Sequence, residues 1–457
     1  MASEVKNFYS DNIIYHSQEL QDSIAALEEK YLITEDFDTF KHHVNFSQNI
    51  QIPIHNWFKY REGYSHKLID TLLDDSGLTQ EEFVIDPFCG SGTTQLQANI
   101  HGISSFGVDI NPMSVFVSLT KSSSIQNIDI TKVTSYLPKI LSCAPKNLIE
   151  LSLYSDVERY FDQDKLIALL QLFEEITKIS HENSRNFFKL CVLSIIELVS
   201  NRKRDGNGLA TRPTKVKCVY EEFEAKAKSM LHDLHSIGDK TKGLDIEYGA
   251  ISDNSENLHE HVKAFEKQSG KNPGAIIFSP PYANSFDYFE SYKLELRLGG
   301  YSDTIKELKT YRNRAVRSFI SDSSNREIKD YRLANLLADD IELSIPEKES
   351  LTGKKDSRTR KVPRMIKTYF NDMANIIEQC SLSLPKGKKC YIVVDQSSYL
   401  GKIVPSDLLL ADLAGQRNFG VEKIVVCRKA KTSPQQAKRF PYLKEALRES
   451  IIVLVKK

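Results

Sequence analysis

The chain has 457 residues with 61 basic and 61 acidic side chains, 40% apolar and 27% charged content. Zero net charge excludes attachment to nucleic acid by bulk basicity, so such a partner would have to be met by local patches. No apolar run approaches the ~18 residues of a membrane span, and seven scattered cysteines without a C-x-x-C pair speak for a reducing, cytoplasmic setting and against structural zinc.

The first residues show no basic-then-apolar export signal. Residues 1–45 read as an N-terminal helical extension, because Leu20, Ile24, Leu27 and Tyr31 recur at helical steps. His42-His43 and His259-Glu260-His261 lack metal-ligand spacing, and no metal is expected.

Residues 46–123 hold the first motif. Trp57, the only tryptophan, stands in an aromatic-basic cluster, and Ser65 can cap a helix carrying Leu68, Ile69, Leu72 and Leu73. Phe83-Val84-Ile85 then runs into Asp86-Pro87-Phe88-Cys89-Gly90-Ser91-Gly92-Thr93-Thr94. A buried strand, a tight glycine turn and a helix build a nucleotide-sized crevice in an α/β sheet. A second strand ends in Asp109, where an acid suits the two hydroxyls of a ribose, and Asn111-Pro112 starts another helix.

Residues 124–240 read as a helical insertion, with patterns over 156–178, 184–199 and 220–237. Between the last two lies a basic, glycine-containing loop, 201–217. It is either a solvated connection or a phosphate contact through Arg202, Lys203, Arg204, Arg212 and Lys215.

Residues 241–300 resume the sheet: one strand leads to Asp253, and the apolar strand Ala275-Ile276-Ile277-Phe278 leads into Ser279-Pro280-Pro281-Tyr282. Two prolines fix a rigid, extended turn and donate no backbone hydrogen bonds. On residues alone this is a strand-terminating turn with a core tyrosine, or a wall of acceptors beside an aromatic face. Residues 301–370 form a basic insertion with Arg312, Arg314 and Arg317 and a second basic run at 353–364. The acidic stretch 333–349 between them reads as a connection. Residues 371–457 alternate strand and helix and complete the sheet.

The glycine motif paired with Ser279-Pro280-Pro281-Tyr282 resembles the amino-methylating DNA methyltransferases, over most of 52–123 and 244–300 and the strand pattern of 386–455. The resemblance implies an α/β, Rossmann-like methyltransferase fold: a mixed, mainly parallel seven-stranded sheet with largely helical insertions. It implies S-adenosylmethionine as cofactor. The run Asp86, Pro87, Phe88, Gly90, Gly92, Thr93 and Thr94 would cradle its methionine part. Asp109 would take the ribose, Asn111 to Met113 would flank the adenine, and Asp253 would accept the adenine amino group. Lys59, Tyr60 and Ser65 would line the site from the preceding segment. Ser279, Pro280, Pro281 and Tyr282 would be the catalytic tetrapeptide, and its serine is more usual for cytosine N4 than for adenine N6.

The residue types suit that chemistry. An exocyclic amine is a poor nucleophile, and acceptors at Ser279 and the Pro280 carbonyl would hold its hydrogens for in-line transfer. Tyr282 would stack on a base rotated out of duplex DNA. The implied partners are double-stranded DNA and a cognate restriction or defence nuclease, with no membrane. RNA base methylation, a non-catalytic DNA-binding subunit and small-molecule methylation are the other readings. Intact motifs and two basic insertions speak against the last two.

Overall fold

The computed structural model describes residues 3–4, 8–142, 149–205, 208–212, 216–237, 243–321, 326–430, 432 and 434–457. Thirteen strands occur among them: β1 (Ser3–Glu4), β2 (Ile33–Glu35), β3 (Glu82–Asp86), β4 (Ser104–Asp109), β5 (Arg202–Asp205), β6 (Gly208–Thr211), β7 (Tyr248–Ser252), β8 (Asn272–Phe278), β9 (Lys389–Asp395), β10 (Ser397–Tyr399), β11 (Lys402–Val404), β12 (Phe419–Lys429) and β13 (Arg448–Lys456). Nine form the main sheet in the order β1-β2-β12-β13-β9-β8-β3-β4-β7.

Strands β9, β8, β3, β4 and β7 are parallel, whereas β13 runs antiparallel to both of its neighbours. This is an α/β, Rossmann-like methyltransferase fold. The expected seven-stranded sheet is enlarged to nine. The N-terminal extension is not purely helical: after its helix Gln18–Lys30 it adds β2 alongside β12, and β1 pairs with β2. Ile33 supplies the apolar side chain that makes β2 worth burying.

Strands buried on both faces read as continuous apolar runs, and their side chains alternate between the two layers. Phe83 and Ile85 join one core with Phe265, Ile366 and Phe370, from the helices Leu258–Ser269 and Val362–Ser383. Val84 joins the opposite core with Leu68, Ile69 and Leu72, from the helix His66–Ser76. Chain order reverses between β3 and β8. Their carboxyl ends, Asp86 and Phe278, therefore open a crevice where an α/β sheet binds its ligand.

The described residues between 124 and 237 are mostly helical. Helices Gln163–Thr177, Glu182–Val199 and Val219–Ile237 close around a core of their own with Phe188, Leu193 and Phe223. Trp57 ties that core to the sheet: its ring meets Phe187 edge-on at 5.6 Å, and its Nε1 donates to Asp233 at 3.0 Å.

Two stretches differ from their sequence reading. The basic loop is a hairpin of β5 and β6. The expected connection 333–349 is mostly helix, Arg332–Leu343 followed by Ile345–Thr352, because Leu337, Ala338 and Ile341 form an apolar stripe that buries in the main core.

Candidate functional site

The crevice is a cleft enclosing ≈ 930 Å³, its open mouth included, lined from the glycine turn, the end of β4, the tetrapeptide and the segment 60–64. Of the residues expected at the cofactor, Tyr60, Asp86, Phe88, Gly90, Thr93, Asp109 and Asn111 line it, and Ser279 and Pro281 of the tetrapeptide join them. The structure thus brings part of the expected set together at one place.

Asp86 is the hub of the turn. Its carboxylate accepts from Thr94 Oγ1 at 2.7 Å, Tyr64 Oη at 2.9 Å and the Phe88 amide at 3.0 Å. Asp109 accepts from the Gly90 amide at 2.8 Å and the Asn111 amide at 2.8 Å. Burial pushes both acids up to about 6, against these hydrogen bonds. Glu62, a third acid on the wall, is also raised by burial and accepts from Tyr292 Oη at 2.8 Å.

The turn needs its glycines. Gly90 has φ +48°, and a Cβ there would lie 2.9 Å from the Tyr60 ring. Gly92 has φ +77°, opens the helix Thr93–Ile100, and is closed against the Ser118 backbone, 2.8 Å from a would-be Cβ. Asn111 caps the helix Pro112–Ser124 through the Met113 and Ser114 amides. Its Nδ2 is buried, on the cleft wall, without a partner among the described residues.

These residues fit S-adenosylmethionine. Two buried acids and the half-buried Glu62 face a cleft that a cation would neutralise, the tight turn leaves room for a ligand against backbone, and Asn111 offers an unused donor. The only described cation on the wall is Arg314, half-exposed and paired with Asp253.

Other expected residues stand one layer back. Thr94 bonds Asp86. The Pro87 carbonyl accepts from Ser255 Oγ at 2.5 Å, and Ser65 caps the helix His66–Ser76 through the Lys67 amide. Met113 is buried in the insertion core, and Lys59 lines a separate cleft beside the helix Glu182–Val199. Asp253 does not line the cleft. Burial would raise it, but bonds with Asn257, His261 and Arg314 hold its carboxyl down at about 2, while its neighbours Asn254 and Ser255 take the wall.

Tyr282 also turns from the cofactor cleft. Its hydroxyl accepts from Ser279 Oγ at 3.1 Å and donates to Glu449 at 3.3 Å, and its ring packs against the main core. The aromatic wall on the cofactor side is instead Tyr288 and Phe289 with Tyr60, none of which the tetrapeptide motif marks. The signal for Tyr288 and Phe289 was the aromatic density after Tyr282.

The basic residues expected to meet phosphate are mostly spent inside the protein. Arg204 is 8% exposed, paired with Glu197 at 2.5 Å and with Glu295, and lies 4.2 Å over the Tyr292 ring. Arg212 donates to the carbonyls of Glu197, Ser200 and Arg202. Arg317 is 1% exposed and grips Asp372 at 2.6 Å. Arg312 pairs with Asp287 at 2.9 Å. Carboxylates and backbone carbonyls elsewhere in the chain, invisible in a linear charge count, occupy all four side chains. Arg202 bonds Thr211 and covers the Tyr160 ring. Lys203 is exposed, and Lys215 lies outside the described residues.

No group of acids, histidines and cysteines able to hold a metal occurs among the described residues, and no helix among them is long and apolar enough to cross a membrane. No family model matches the chain. It is 27% identical over 472 residues to the Type II methyltransferase M.BsoBI of Geobacillus stearothermophilus, spanning 93% of this chain and 91% of that protein. It is 25% identical over 425 residues to the Type II methyltransferase M.AvaI of Nostoc sp., spanning 86% and 84%. Among solved structures, the rRNA methyltransferase aviRa from Streptomyces viridochromogenes covers 90% of this chain and 92% of its own, at 9% identity and a TM-score of 0.30.

Proposed function

We propose that the chain is an S-adenosylmethionine-dependent DNA methyltransferase of a restriction-modification system, acting on the N4 amine of cytosine. The observation that carries this reading is the meeting of the acidic glycine turn and Ser279 in one cleft. Similarity to Type II methyltransferases along nearly the whole chain supports DNA methylation and implies S-adenosylmethionine as the methyl donor. Serine at position 279 favours cytosine N4 over adenine N6.

When bound, the cofactor supplies an electrophilic methyl group on a sulfonium. Asp86, held by three donors, keeps the turn in shape, while Asp109 and Glu62 give the cleft its negative potential. Ser279 stands on the wall of that cleft with its hydroxyl directed to Tyr282, so its remaining lone pair can accept a hydrogen of the target amine. Tyr60, Tyr288 and Phe289 exclude water from the reacting face. The recognised duplex and a cognate nuclease partner belong to the same proposal.

The test is mass spectrometry of nucleosides from unmodified DNA incubated with the chain and isotopically labelled cofactor. Labelled N4-methylcytosine is expected. Labelled N6-methyladenine would transfer the reading to adenine, and label in RNA alone would overturn it.

A further inference from the structure

Beyond the Ser279–Tyr282 turn lies a second cleft, larger than the first, enclosing ≈ 1730 Å³ with its open mouth included. Asn284 and Ser285 continue the tetrapeptide into one wall. Asp395 and Gln396, at the end of β9, form another with the β10–β11 hairpin, and the segment 356–362 forms a third.

Polar groups on the β9 wall are left without partners. Gln396 is 4% exposed; its Nε2 donates to Asp407 at 2.6 Å, but its Oε1 has no partner among the described residues. Asp395 Oδ1 is likewise buried and unpartnered. Satisfied hydrogen bonding is the rule in protein interiors, so two orphans side by side mark a place where a ligand completes the set. Asp395 stands opposite Glu449 in the β9–β13 ladder. Burial, and then this second acid, push its carboxyl well above the usual range, against Arg428, which pairs with Glu449, so Asp395 keeps a proton to give.

Cations gather at the rim, where Lys348 pairs with Asp356 and Arg439 with Glu347. Arg358 lines it, exposed and without an ion pair among the described residues, and Lys438 is equally free on the adjoining helix Pro434–Arg439. The backbone is strained on both walls: Ser285 has φ 64° and Leu400 φ 54°, left-handed values that non-glycine residues hold only where the surroundings impose them.

We propose that this second cleft seats the nucleic-acid strand bearing the target base, with Gln396 and Asp395 hydrogen-bonding the base edge and Arg358 and Lys438 contacting flanking phosphates. The proposal rests on the DNA methyltransferase reading. Cytosine and adenine share an edge in which a ring nitrogen accepts beside an amine that donates. A protonated carboxyl group can give to the first and take from the second, and Gln396 Oε1 offers a further acceptor. The hydrogen bonds from Ser279 through Tyr282 to Glu449 tie this wall to the turn that faces the cofactor.

The experiment uses the full chain. Binding of a labelled DNA duplex is followed by fluorescence anisotropy across a sodium chloride series, and methylation of unmodified DNA is followed with labelled cofactor. The double variant Arg358→Ala, Lys438→Ala is expected to lower the slope of log affinity against log salt by about two, at roughly 0.9 per phosphate contact, with cofactor affinity unchanged. Asp395→Asn is expected to keep duplex affinity and cofactor affinity while kcat/KM for DNA falls at least about 30-fold. An unchanged slope in the double variant, wild-type turnover in Asp395→Asn, or tighter binding of an equal-length RNA through the same two cations would each overturn the assignment. If the wild-type chain methylates no DNA yet these cations set its salt slope, the cleft stands and the methyltransferase reading falls.

Discussion

The two clefts lined from successive parts of the segment 279–285 differ in how their polar groups are satisfied. On the cofactor side, buried acids are saturated with donors: Asp86 takes three and Asp109 two from backbone amides. The arginines on that side of the molecule, Arg204 and Arg212, are consumed by carboxylates and carbonyls. On the far side, Gln396 Oε1 and Asp395 Oδ1 lack donors and Arg358 lacks an acid among the described residues, while Lys348 and Arg439 pair with Asp356 and Glu347. A saturated wall is preorganised and needs only the charge of its ligand, whereas an unsaturated one is completed by the hydrogen bonds of its ligand.

The largest expected effect tests whether the cofactor-side arginines are structural. Arg204→Ala leaves Glu295, 3% exposed, without its partner, and breaking one half of a buried pair costs about 3–5 kcal/mol. Chemical denaturation should show that loss. Unchanged stability with weakened DNA binding would return Arg204 to the phosphate role and erase the contrast.

Next in size is Gly90→Ala. The left-handed backbone and the Tyr60 ring should weaken S-adenosylmethionine binding roughly 5- to 30-fold, from about 1–2 kcal/mol of conformational cost. Calorimetry compares it with Gly353→Ala, which has φ +61° but nothing within 4 Å of its Cβ and sits on the far side. Equal affinities in the two variants would show that the turn is not the cofactor cradle.

A smaller effect follows from pH. Asp86 and Asp109 are raised to about 6 in the folded protein, above the ~3.9 of an unfolded aspartate. A raised carboxyl contributes stability that is fully present below the unfolded value and lost as pH rises through the folded one. Lowering pH from 7.5 to 5.5 should therefore stabilise the cofactor-free protein through these two groups while weakening cofactor affinity by roughly tenfold, as the negative potential disappears. Thermal shift and calorimetry on the same samples read the two signs. Affinity that rises on acidification would mean that the acids do not face the cationic part of the ligand.

The cofactor side was legible in the sequence because its chemistry is local. Asp86 to Thr94 is one strand-turn-helix, and Asp109 follows at the spacing a neighbouring parallel strand requires. Ser65 reads as a helix cap, and Asn111-Pro112 as a helix start, for the same reason. What stayed hidden depends on partners far along the chain. Arg317 looks like a phosphate contact until Asp372, 55 residues on, closes over it, and Tyr282 looks like a free stacking face until Glu449 takes its hydroxyl. The strand β2 was missed because three residues carry no readable period, and only the edge of β12 gives them a place.

The smallest expected effect is the most discriminating for the footprint of the substrate. Lys203, on β5, is exposed and makes no ion pair among the described residues, so in isolation it is as free as Arg358. Its neighbours on the hairpin are not: Arg204 and Arg212 are turned inward onto Glu197, Glu295 and backbone carbonyls, and Arg202 bonds Thr211. A lone cation contributes to the salt dependence only if a phosphate lies within reach, and each contact made changes the slope by about 0.9. Lys203→Ala should therefore leave both stability and the salt slope of duplex binding where they are. A slope change near a full contact would mean that the duplex reaches across to the hairpin, so that the target strand is gripped from both sides of the Ser279–Tyr282 turn.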